Sequence, residues 1–242
     1  KDMIRHLLQL IWNQRKQNAW LWAELLLVSV FLWFLVDYLY VMGRTYTAPL
    51  GFDIRHTYSI VISSLSERSP DYIPKEKRER PDGVHLLTAL DRIRTYPGVE
   101  SACLTDGGMP YYMGSRNLVW RIDTLQVPCR YAFVTPEFFD VFRIYDKDGK
   151  TASLKRAIED NNSIVISADV ETMNPGLSLL GQKAYRGNVT DEIEETIRGI
   201  SVPIRRHEYT KAEPNVYRAL RLSRMEEGYY EGMIDAVRLC VR

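Results

Sequence analysis

A run of apolar residues from Trp20 to Met42, WLWAELLLVSVFLWFLVDYLYVM, leaves the chain little choice but to meet a lipid bilayer. As a helix rising 1.5 Å per residue it reaches roughly 35 Å, enough to cross the hydrocarbon core with some tilt. Leu25 to Val36 carries no charge. Trp20 and Trp22 stand at one end, Tyr38 and Tyr40 at the other, where amphipathic rings settle at a lipid–water boundary. Helices buried in soluble cores seldom stay apolar on every face for this length. Residues 19–43 are therefore read as a transmembrane helix. The run is longer than the apolar part of a cleaved export signal, and Gly43-Arg44-Thr45-Tyr46 after it offers no small-residue cleavage site.

Two carboxylates lie within the run. Glu24 and Asp37 are each near an end, where a carboxylate either reaches the headgroup layer or faces a neighbouring helix. Ahead of the span, Met3 to Asn18 places Ile4, Leu7, Leu8 and Ile11 at helical spacing, and residues 1–18 are read as a cytoplasmic amphipathic helix on the membrane surface. Arg5, Arg15 and Lys16 before the span outnumber Arg44 and Arg55 soon after it. The positive-inside rule then puts the N-terminus in the cytoplasm and everything after the span outside.

About 200 residues follow, enough for one large domain or two small ones. Net charge is +1, which gives no electrostatic case for a nucleic-acid partner. The three cysteines, Cys103, Cys129 and Cys240, have no CxxC spacing, which argues against zinc and against a disulfide framework. The texture is α+β. Strands are expected at Tyr58–Leu65 and Val99–Thr105, with a helix between them that Asp82 caps and that Val84, Leu87, Leu90, Ile93 and Arg94 stripe. Pro97-Gly98 stops that helix, and the mixed-charge run Lys75 to Arg80 reads as a solvated loop. Further strands are expected at Asn117–Ile122, Gln126–Val134, Ser163–Ser167, Glu194–Pro203 and Asn215–Ser223, with a helical turn at Pro136–Phe142 and a tight turn at Asp148-Gly149. Met225–Val241 reads as a helix with Met233, Ile234, Val237 and Cys240 or Val241 on one face.

Catalytic signatures are incomplete. Gly181-Gln182-Lys183 lacks the glycine loop that would cradle phosphates, and His207-Glu208 lacks the second histidine of a zinc protease, Lys211 standing in its place. Asp146-Lys147-Asp148-Gly149 begins like a calcium loop without the closing glutamate, and a turn is the simpler reading. Asn161-Asn162-Ser163 and Asn188-Val189-Thr190 match glycan acceptors, a match that means little if the protein is bacterial. His6, His56 and His85 are far apart. No enzyme is expected, and no cofactor or metal in this chain.

Several short motifs recur in a telling order: Tyr96-Pro97-Gly98-Val99-Glu100, Val134-Thr135-Pro136-Glu137-Phe138-Phe139, Phe142-Arg143-Ile144, Ile164-Val165-Ile166-Ser167, Leu180-Gly181-Gln182-Lys183 and Ile197-Arg198-Gly199-Ile200-Ser201-Val202. In this order, after a single N-terminal span, they resemble the periplasmic core domain of MacB-like, FtsX-related ABC transporter permeases. The resemblance implies a porter-like part in two β-α-β halves with a strand-rich, sabre-like part inserted. It maps residues 44–108 to the first half, 109–210 to the insert and 211–242 to an incomplete second half, in a fragment of a longer permease. It also implies the bacterial inner membrane, a periplasmic main domain, ATP bound by a separate ATP-binding cassette subunit, and a homodimer or heterodimer of permeases. Mechanotransmission through the span would then serve a periplasmic partner protein or substrate. Gly107, Met109, Tyr111, Tyr112 and Met113, in the run GGMPYYMGSR, suit an adaptable partner-contact loop and equally an ordinary connection. The other reading left open is a single-span sensor with an extracytoplasmic ligand-binding domain.

Overall fold

The computed structural model describes residues 2–14, 16, 19–63, 65–112, 114, 116–186, 193–231 and 234–242. Arg15, Met113, Met233 and the glycan motif at 188–190 lie outside the described residues. The chain divides into two compact units, residues 1–48 and 49–242.

The first unit holds α1 (Asp2–Asn13) and α2 (Ala19–Thr47). α2 is 29 residues long, none of its residues is buried, and by length and composition it is apolar enough to cross a membrane. α1 exposes Ile4, Ile11 and Trp12.

The second unit is α+β, built on nine strands: β1 (Tyr58–Ile60), β2 (Ala102–Asp106), β3 (Arg116–Ile122), β4 (Leu125–Val134), β5 (Ser163–Ser167), β6 (Lys183–Arg186), β7 (Ile193–Ser201), β8 (Asn215–Ala219) and β9 (Arg238–Val241). Six of them pair in a closed ring, β3-β4-β8-β5-β7-β6 and back to β3. Closure leaves those strands few open edges. Trp120, Ile122, Val127, Cys129, Ile164, Ile166, Ala184, Ile197 and Val216, drawn from all six strands, form one buried cluster inside this small barrel.

β4 is the hinge of the architecture. Leu125 to Tyr131 pair with Ile122 to Arg116 of β3, and Phe133 and Val134 then pass to β2. On the other edge Arg130 to Val134 run parallel to β8. Pro128, which cannot donate to a ladder, falls where β4 pairs with β3 and before β8 begins. Beyond β4 the order β2-β9-β1 makes an antiparallel wing. One face of that wing carries α3 (Asp82–Arg94) and α7 (Leu222–Glu226), closing a core of Leu86, Leu90, Leu104, Met225, Leu239 and others. Gly83 is needed there, since a Cβ would sit 2.3 Å from the Met225 carbonyl oxygen.

A third core joins barrel and wing on the opposite face. α4 (Phe138–Val141) and α5 (Ala152–Glu159) press Phe138, Phe139, Phe142 and Leu154 onto Ala132, Val134 and Tyr217. Ring centroids of Phe138 and Phe142 are 4.8 Å apart, and Phe139 meets Tyr217 edge-on at 5.6 Å. The residual short helix is α6 (Asp169–Met173).

Several expectations are corrected. The first strand is three residues, not eight, because Val61 onward has no partner among the described residues. Asp82 opens α3 without capping it; its carboxylate is taken by Arg78 at 2.7 Å. The buried side of α3 includes the expected Leu90, with Leu87 and Ile93 partly buried against the same core, and adds Gly83 and Leu86; Arg94 is exposed. Residues 225–241 are not a helix. Among the described residues they hold the end of α7, a turn up to Glu231, a short 3-10 helix (Ile234–Ala236) and β9.

Candidate functional site

α2 carries the four aromatic residues expected at a lipid–water boundary. Trp20 and Tyr38, and likewise Trp22 and Tyr40, are 18 residues apart, roughly 27 Å along a helix, close to the hydrocarbon thickness. All four rings are exposed, and Tyr38 stacks on Phe34 at 6.5 Å. Glu24 and Asp37 fall inside these aromatic pairs and about 140° apart around the axis, so one neighbouring surface does not meet both.

The loop leaving β2 is pinned. Gly107 and Gly108 take φ of +84° and +70°, and a Cβ on Gly108 would meet the Ala132 Cβ at 2.5 Å, so glycine is required twice over. The Thr105 hydroxyl donates to the Gly107 carbonyl. Met109 turns inward against the aromatic core, its Sδ 3.6 Å from the Cys240 Sγ. Tyr111, at φ +60°, donates its backbone N–H to Arg206 O at 3.1 Å. Its ring meets Phe52 edge-on at 5.9 Å, and its hydroxyl donates to the Glu208 carboxylate, which holds that carboxyl below its usual range. Tyr112 is half-buried. Tyr111 is exposed, as is Tyr209 on the turn that carries Glu208.

A second feature was illegible in the sequence. Arg116, Arg186, Arg218, Arg221 and Arg224 line one cleft of about 460 Å³. They come from β3, β6, β8, the turn after β8 and α7, separated by up to 108 residues, and no local pattern marks them. Two buried carboxylates share the cleft. Asp106 pairs with Arg116 at 2.5 Å, and Glu195 takes the Arg218 guanidinium, whose Nε donates at 2.8 Å. Burial raises the Asp106 carboxyl against the opposing pull of Arg116. Arg186 approaches Glu195 at 3.5 Å without hydrogen-bond geometry, leaving its Nε buried and unpartnered. Phe133 lies under Arg218 at 5.0 Å and Tyr229 under Arg224 at 5.3 Å.

Among the described residues no three His, Cys, Asp or Glu side chains are grouped to share a metal ion. All three cysteines are free and buried. Cys103 faces Cys240 across the β2–β9 register, whereas Cys129 belongs to the barrel interior.

No family model matches the sequence, and no curated protein matches it. Three solved structures are similar to it in fold. One is a domain of a protein designated a permease from Porphyromonas gingivalis, at 20% identity and a TM-score of 0.45, the match covering 64% of this chain and 60% of that one. Another is the extracellular domain of the noncanonic ABC-type transporter YknZ from Gram-positive bacteria, at 12% identity and a TM-score of 0.44, covering 77% of this chain and 83% of that one. A third is the periplasmic region of MacB from Actinobacillus actinomycetemcomitans, at 9% identity and a TM-score of 0.43, covering 82% of this chain and 79% of that one.

Proposed function

We propose that the chain is a membrane-spanning helix and extracytoplasmic domain of an ABC transporter permease of the MacB and FtsX type. The observation that carries the reading is α2: 29 residues, bare of any protein cover, joined in sequence to a folded α+β unit that bears the ordered motifs of those permeases. Residues 44–108 and 211–242 would be the porter-like halves and 109–210 the inserted part.

In this reading a separate ATP-binding cassette subunit hydrolyses ATP in the cytoplasm, and α2 passes the resulting displacement outward as a stiff lever. A second permease chain completes the transmembrane assembly. Substrate need not cross the bilayer through this chain, whether the motion serves export or mechanotransmission; the exported unit moves against a periplasmic partner or substrate. Tyr111 and Tyr209 are the contact residues to test first, since aromatic side chains dominate interface energetics.

The test is twofold. In spheroplasts from native cells, externally added protease is expected to cut the unit after Pro49 and to spare residues 2–14. Affinity purification of the full-length protein from native membranes is expected to bring down a nucleotide-binding subunit. Cleavage of residues 49–242 only after the inner membrane is opened, or recovery with no ATPase, would overturn the proposal.

A further inference from the structure

The geometry points to the arginine-lined cleft as a binding site for a small, multiply charged phosphate-bearing anion. The inference stands on this cleft and not on the transporter reading. Among the described residues lining the cleft, five guanidinium groups face two carboxylates, so the internal pairs leave that lining positive. Asp106 and Glu195 are 4% and 2% exposed, and their ion pairs orient Arg116 and Arg218 without consuming every N–H they carry. Among the described residues Arg221 and Arg224 form no ion pair, and Arg186 Nε has no hydrogen-bond acceptor. Arg221 is half-buried and Arg224 exposed, so both guanidinium groups are open to a ligand, while the buried Arg186 Nε stands 3.5 Å from Glu195 Oε2.

The shape narrows the ligand. About 460 Å³ lies in the range of small-molecule sites and is too small for a folded partner. Guanidinium forks suit carboxylate and phosphate alike. Here the forks arrive from five separate elements, and a tetrahedral group can take hydrogen bonds from several directions where a planar carboxylate takes them in one plane. Aromatic faces under Arg218 and Arg224 hold those two forks in place before a ligand arrives, which lowers the ordering cost of binding. A soluble phosphate compound and a phospholipid headgroup share this chemistry.

The test is titration calorimetry of the full chain in phosphatidylcholine nanodiscs, with inorganic pyrophosphate as probe and citrate as the carboxylate comparison. Expected is one saturable site for pyrophosphate, tighter than about 1 mM and tighter than for citrate. Arg221→Gln and Arg224→Gln each weaken it about tenfold or more, with unchanged melting temperature because neither residue braces the fold through an ion pair. Arg224→Lys, which keeps the charge and loses the fork, weakens it less than Arg224→Gln. Arg156→Gln, an exposed cation of α5 outside the cleft, leaves it unchanged. Adding anionic phospholipid to the nanodiscs separates the sources: competition with pyrophosphate identifies a headgroup, and no competition a soluble anion. Absence of saturable binding, citrate binding more tightly, or equal losses in the Arg156 and Arg224 variants overturns the proposal.

Discussion

Asp53 shows how little machinery is needed to tune one carboxylate. The Arg55 side chain hydrogen-bonds it, the Arg55 N–H donates at 2.8 Å, and the Arg242 charge adds to both, so its pKa falls to about 2 despite some burial. A depressed acid stabilises the fold above its unfolded pKa, and that contribution is lost as pH falls toward the folded one. Asp53→Asn is therefore expected to lower the melting temperature at pH 6, and the gap from the parent chain should close between about pH 4 and pH 2. Melting curves across that range check it; a gap that persists at pH 2 would mean packing, not charge. The thiols make a second case. Burial pushes Cys129 up to about 12 and Cys103 well above its ordinary value, and all three cysteines are within 1% of full burial. The folded chain is expected to take up no maleimide at pH 7.5 and three equivalents once denatured, counted by mass spectrometry. None of this was legible in the cysteine spacing, which says only that zinc and a disulfide framework are disfavoured.

Elements differ in how far their own residues decide them. α2 is decided locally: its residues are apolar all round, and the aromatic pairs mark its ends. Val30, near its middle and 58% exposed, is the place to test this. Val30→Arg is expected to cost insertion about 2.5–3.5 kcal/mol, read as the fraction resisting alkaline extraction from membranes. β5 was legible residue for residue, because SIVIS is β-branched and buried on both faces. Residues 225–241 were not. Val237 and Val241 are four apart, a spacing that fits a helix face as well as alternate positions near a strand, and only pairing with β1 and β2 selects the strand. The contact of α5 with the barrel rests on Gly199. A Cβ there would meet Val165 Cγ2 at 2.7 Å and Ala157 Cβ at 3.2 Å, beside the bulge between Ile164 and Val165. Gly199→Ala is expected to destabilise the unit by about 1–3 kcal/mol, measured by denaturant melts.

The folded unit of residues 49–242 depends on pairings between distant parts of the chain. β9 lies between β1 and β2, so the last residues complete a wing begun 180 residues earlier. A chain ending at Val237 is expected to lose hydrogen-exchange protection in β2 and α3 while β5 and β7 stay protected inside the barrel; equal loss in both would show one cooperative core. A strand–helix–strand start and a strand-rich middle were legible in the residue pattern, whereas the stretch holding the last strand reads as a helix. The expected division into parts, however, does not show that β4 serves both, its Val127 and Cys129 in the barrel core and its Ala132 and Val134 under α4 and α5.

Hydrophobic length is a property of consecutive residues, so the long apolar helix, its aromatic ends and the strand-forming runs can be read from the chain alone. Which strands become neighbours, which glycines must stay bare and where five scattered arginines converge depend on contacts between residues far apart in sequence. Those contacts are selected by the joint burial of three cores, and no local window of residues contains that information.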